Sequence, residues 1–163
     1  MKKLISIILS FILFAATACA DGNGAKPSES ERLSEMKIKI EITSDSGNHT
    51  LSARLADNSS ARAFYELLQK GSITVSMHDY GNFEKVGFLP SSLPRNDTQI
   101  TTEPGDIILY QGNQITFYYD TNSWNFTRLG KVVSINSTTP VTKPELKQIL
   151  GKGNVTAVIS VQQ

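Results

Sequence analysis

Residues 110–132, YQGNQITFYYDTNSWNFTRLGKV, hold the only Trp of the chain and five of its twelve Phe and Tyr residues. Starting four residues earlier, Asp106 to Gln111 reads as a short apolar strand, Gly112-Asn113 as a two-residue hairpin signal, and Gln114 to Asp120 as the returning strand. Period two places Ile115, Phe117 and Tyr119 on one face and Thr116 and Tyr118 on the other. A second turn, Thr121-Asn122-Ser123, leads to Trp124 and a third strand over Phe126 to Ile135. Ile115, Phe117 and Tyr119 are read as core wall. Tyr118, on the polar side of its strand, and Trp124, beside a turn, are expected to be partly exposed.

The same period of two continues outward in both directions. Met36, Ile38, Ile40 and Ile42 alternate with Lys37, Lys39, Glu41 and Thr43, and Asp45-Ser46-Gly47-Asn48 turns the chain into a return strand over His49 to Ala56. Asp57 to Gly71 then changes to helical spacing, with Asp57 or Asn58 as cap, an apolar stripe of Ala61, Phe64, Tyr65 and Leu68, and Gly71 as the stop. Strand signals return at Ile73 to Met77 and Phe83 to Phe88. Leu89 to Gly105 is a 17-residue connection with three prolines, long enough to be either a functional loop or a plain surface excursion. Near the end, Thr142-Lys143-Pro144-Glu145 has capping-box spacing ahead of Leu146, Ile149 and Leu150, and Val155, Ala157, Ile159 and Val161 form a last alternating strand. About eight strands and two short helices predict a mainly β fold, an antiparallel barrel closed so that no edge is exposed and capped by the helices.

At 163 residues the chain has room for one such domain, expected over 36–163. In front of it, Met1-Lys2-Lys3, the apolar run Leu4 to Phe14 and the small residues Ala15 to Ala18 have the layout of a secretory signal peptide over 1–18. Leu4 to Ala18 is short for a helix crossing about 30 Å of hydrocarbon. Cys19, the only cysteine, follows the small residues as in a bacterial lipobox and is expected to carry a lipid; a lone Cys has no disulfide partner in an oxidising compartment. Residues 19–35, rich in Gly, Ser, Pro and charge, read as a flexible tether. The expected location is the bacterial cell envelope, with the membrane as partner through the N-terminal lipid. Removing Lys2 and Lys3 from the 16 basic residues leaves 14 against 15 acidic ones, which does not favour nucleic acid.

Four segments carry a family resemblance. They are Asp57-Asn58-Ser59-Ser60-Ala61-Arg62-Ala63-Phe64, Ser92-Leu93-Pro94-Arg95-Asn96-Asp97, Pro104-Gly105-Asp106-Ile107-Ile108-Leu109-Tyr110 and Trp124-Asn125-Phe126-Thr127-Arg128-Leu129-Gly130-Lys131. In this order and spacing the chain resembles the small bacterial cyclophilin-like proteins over nearly all of Met36 to Gln163. The resemblance implies a cyclophilin-type barrel of eight strands with two capping helices, in a family without a settled biochemical role. True cyclophilins isomerise prolyl bonds with an Arg and a Phe/Gln cluster on one barrel face. Phe126 to Arg128 and Gln111-Gly112 echo pieces of that pattern in reverse chain order, so the resemblance carries over no catalytic residue.

Other chemistries find little support. His49 and His78 lack zinc-ligand spacing, no nucleophile elbow or phosphate-binding glycine loop occurs, and Asp97, Glu103 and Asp106 read as solvated loop carboxylates. No cofactor or metal is expected. Alternation places Arg128 on the face of Phe126, Gly130 and Val132, where a buried guanidinium needs a partner or a rim position and Gly130 leaves space. One reading is a shallow cleft of Tyr118, Trp124 and Arg128 with Arg95 nearby, for a peptide or small anionic ligand. The other is that Arg128 pairs internally with a carboxylate and stiffens the barrel. The leading functional expectation is a non-catalytic, membrane-tethered binding or accessory protein; an isomerase-like enzyme and a structural envelope component are the alternatives.

Overall fold

The computed structural model describes residues 36–135 and 139–162. The signal peptide, Cys19 and the tether, read over 1–35, lie outside these residues. Strands β1 (Lys37–Ser44) and β2 (Gly47–Leu55) form the first hairpin, with Ser44 opposite Gly47. Helix α1 (Ser59–Gln69) follows, then β3 (Ile73–Tyr80), β4 (Glu84–Phe88), β5 (Thr98–Thr101), β6 (Asp106–Tyr110), β7 (Gln114–Tyr118), β8 (Ser123–Val133), helix α2 (Lys143–Leu150) and β9 (Val155–Val161). The strand order is β2-β1-β9-β3-β4-β7-β6-β8, every pair antiparallel, and β2 also pairs with β8. That last pairing closes an eight-stranded barrel, and closure satisfies backbone groups that an open sheet would leave unpaired.

The alternating residues face the interior. Ile38, Ile40 and Ile42 are fully or almost fully buried, together with Val75, Met77, Leu109, Ile115, Phe117, Ala157 and Ile159. Each large aliphatic side chain moved out of water contributes about 1.5–3 kcal/mol. Helix α1 adds Ala61, Phe64 and Leu68 to this core while packing on β8 and β9; α2 adds Leu146 and Leu150 against β1 and β2. The Asn58 side chain caps α1 by accepting from the Ala61 amide, and Thr142 and Glu145 form a complete capping box on α2.

Two features of β8 correct the sequence reading. Ile107 pairs with Gly130 but Ile108 with Arg128, so Leu129 is an extra residue in a bulge. The bulge moves Arg128 off the face of Val132: Leu129 and Val132 enter the core, whereas Arg128 points outward. Gly130 leaves no free space either. A Cβ there would lie 2.5 Å from the Arg54 carbonyl oxygen, so glycine at this position permits the close approach of β2 that closes the barrel. The long connection also contains a strand, β5, which pairs with the start of β8 as a ninth strand outside the barrel.

The β4 residue Lys85 points inward with its side chain wholly buried. Its Nζ donates to Asp79 Oδ2 at 2.7 Å and to the Gly151 and Gly153 carbonyls at 3.2 and 2.8 Å. Tyr119 donates to the other Asp79 oxygen at 2.8 Å. These bonds tie β3, β4 and β7 to the loop after α2.

Candidate functional site

On the outer face of the wall formed by β3, β4, β7 and β6, side chains lie in rows set by strand register. Tyr80, Glu84 and Tyr118 form one row; His78, Val86, Thr116 and Ile108 the next; Phe88, Gln114 and Tyr110 the third. Gly81 and Asn82, both at positive φ, make the tight turn that sets Tyr80 opposite Glu84. Trp124 and Phe126, at the start of β8, flank the face, held by the β5 ladder through Ile100 and Thr98. Together these residues line a cleft of about 450 Å³.

The cleft has an aromatic rim and a polar floor. Tyr80, Phe88 and Trp124 are 59%, 62% and 59% exposed, large values for rings that gather at one opening. Beneath them Tyr118 and Phe126 are buried with Ile108 in a second small core, where Phe83 stacks on Tyr118 at 6.0 Å between centroids. Glu84 is 6% exposed and Thr116 2%; the Tyr118 and Thr116 hydroxyls lie near the carboxyl, yet neither Glu84 Oε2 nor Thr116 Oγ1 makes a well-formed hydrogen bond among the described residues. Burial pushes the Glu84 carboxyl above its usual range, against the opposing pull of the Tyr118 and Thr116 hydroxyls and of His78. Burial and the facing Glu84 likewise raise the Tyr118 hydroxyl, which therefore stays protonated. One carboxyl oxygen of Glu84 thus lies buried under a ring of exposed aromatics without a well-formed hydrogen bond among the described residues.

Of the four residues singled out from sequence, the structure brings together two. Tyr118 and Trp124 both line the cleft, although Tyr118 is buried at 1% exposure where partial exposure was expected. Arg128 and Arg95 do not line it. Arg128 donates to Asp106 Oδ2 at 3.0 Å, and Lys131 reaches Asp106 Oδ1 at 3.1 Å. Asp106 is thus a buried, paired carboxylate and not a solvated loop group. Arg95 pairs with Asp97 and lies beside Gly112. Its loop is fixed to α1 by Asn96, which donates to the hydroxyls of Ser59 and Ser60, and by Ser60, which donates to the Pro94 carbonyl at 2.6 Å. Neither Lys nor Arg lines the cleft, which removes the basis for an anionic ligand there. Glu84 escaped the sequence reading because a charge in an alternating strand signals solvent. The available hint was its company: Glu84, Val86 and Phe88 put two large apolar side chains on the supposedly wet face of β4.

Among the described residues, no group of three His, Cys, Asp or Glu is placed to hold a metal, and no helix is long and apolar enough to cross a membrane. No curated protein matches the sequence. A hypothetical protein from Archaeoglobus fulgidus, known from its solution structure, shares the fold with a TM-score of 0.55 and 13% identity, over 79% of this chain and 96% of that one. The family described as Cyclophilin-like matches residues 44–160, from the end of β1 into β9. By that match and the closed barrel, the chain belongs to the cyclophilin-like family.

Proposed function

We propose that this protein is a membrane-tethered, non-catalytic binding or accessory module that takes a small ligand or peptide segment in the outer-face cleft. One observation carries the reading: a cleft of ligand size is rimmed by exposed aromatic rings over a buried carboxyl oxygen that makes no well-formed hydrogen bond among the described residues. Folding alone gives no reason to keep such an oxygen, since an apolar side chain there would be more stable. An isomerase reading draws less support, because the arginine such chemistry uses has no counterpart lining this cleft. The tethering part rests on the sequence of residues 1–35, with its basic start, apolar run and Cys19.

Thermal denaturation of the full-length chain in detergent, against a panel of metabolites and short peptides, tests the cleft. A ligand at one hundred times its Kd adds about 2.7 kcal/mol and should raise Tm by several degrees. Trp124→Ala should reduce that rise. If no compound shifts Tm, or Trp124→Ala leaves the shift whole, the cleft is not the site. For the anchor, Cys19→Ala should move the protein from the membrane fraction to the soluble fraction; retention in the membrane would refute lipid attachment at Cys19.

A further inference from the structure

We propose that the ligand of the cleft is an organic ammonium ion, its N–H groups donated to Glu84 Oε2 and Thr116 Oγ1 and its apolar body seated among Tyr80, Phe88, Tyr110 and Trp124. The inference rests on the reading of the cleft as a binding site and goes on to name the chemistry of what binds.

Charge decides first. Among the lining residues the ionisable groups other than tyrosines are Glu84 and His78, and the acid sits on the floor while no Lys or Arg opposes it. An anion would be desolvated beside a carboxylate, with His78, which already faces Glu84, as the one lining group able to carry a positive charge. Aromatic faces act in the same direction, since their quadrupoles attract cations, by more when the site is shielded from water. Hydrogen bonding then narrows the class. A neutral apolar ligand would leave the already buried Oε2 unpaired, and a quaternary ammonium has no N–H to offer it. A primary or secondary ammonium satisfies both unpartnered oxygens. A buried polar group left without its partner is what allows a site to reject an analogue lacking the matching atom.

Three probes of one shape separate the alternatives: 2-phenylethylammonium, the neutral 2-phenylethanol and the anionic 3-phenylpropionate. Trp124, the only Trp of the chain and on the cleft rim, reports occupancy through its emission in the full-length protein. The ammonium should bind at least about tenfold more tightly than the alcohol, and the acid should not bind. Glu84→Gln should weaken the ammonium about tenfold, and the alcohol, whose single neutral O–H can also donate to Glu84, by much less. Phe88→Ala should weaken both together, because it removes only apolar rim. If ammonium and alcohol bind alike, and both are lost in Phe88→Ala, the cleft stands as a site and the ammonium assignment falls. Tighter binding of the acid, or an ammonium affinity unchanged in Glu84→Gln, overturns it equally. So does an ammonium probe that leaves Trp124 emission unmoved.

Discussion

Glu84 and Lys85 are neighbours in β4, both charged and both buried, and they face opposite sides of the same barrel wall. Lys85 points in and has three acceptors, Asp79 and the Gly151 and Gly153 carbonyls. Glu84 points out, under aromatic rings, with one oxygen unpartnered. Burial alone does not tell a structural charge from one held ready for a ligand; the count of satisfied bonds does. On this measure the inner network is complete and belongs to the fold. The outer one is incomplete, which is why we propose it for binding.

The most severe way to break this comparison is to remove the inner charge. Lys85→Met would leave Asp79 without its cation and two loop carbonyls without a donor, and should cost about 3–5 kcal/mol in urea unfolding. The acid side of the stability curve provides an independent check. Burial by itself would raise the Asp79 carboxyl, but hydrogen bonds from Lys85 and Tyr119 and the Lys85 charge outweigh it and hold the group below its usual range. A carboxyl depressed in the folded state contributes stability that is present above the unfolded value and lost as pH falls through the folded one. Lys85→Met should therefore also flatten the acid-induced loss. If the variant unfolds at wild-type urea concentrations, the inner network is not what holds β3, β4 and β7 to the loop after α2.

The inner side of the wall was legible in the sequence and the outer side was not, for a physical reason. Period two separates core from non-core, and Ile38, Ile40, Ile42, Ile115 and Phe117 all fall inside as alternation requires. Nothing in alternation says what covers the other face. Tyr118 is buried there because Phe83 and Phe126 pack over it, contacts made across three strands and a turn. A one-residue bulge at Leu129 was enough to turn Arg128 away from the face its spacing predicted, and β5, four residues with Ile100 as their one apolar side chain, gives no periodic signal. The capping residues Asn58 and Thr142 were readable because capping is local. The cleft is not local: it needs β3, β4, β7, β6 and the start of β8 in register before Glu84 and Trp124 share an opening.

The finer test of the comparison acts on the outer charge, with a smaller effect of opposite sign. Glu84→Gln keeps the shape and removes the cost of burying a carboxylate, so the variant should be more stable than the wild type by about 1–2 kcal/mol at pH 7. The pH dependence fixes the cause. Because the folded value of Glu84 is raised, its favourable contribution is fully present below the unfolded carboxylate range and is lost as pH rises through the folded value. The Tyr118 and Thr116 hydroxyls from β7 and His78 from β3 face the same group and all favour its charged form, so they moderate the loss without reversing it. The advantage of Glu84→Gln should thus be near zero below about pH 4 and grow towards neutrality, whereas the stability lost by Lys85→Met should shrink as the solution is acidified. Chemical denaturation of both variants at several pH values reads the two slopes directly. A Glu84→Gln protein less stable than the wild type at pH 7 would mean that the carboxylate is already satisfied within the fold, and the cleft would lose the acceptor that marks it as a site.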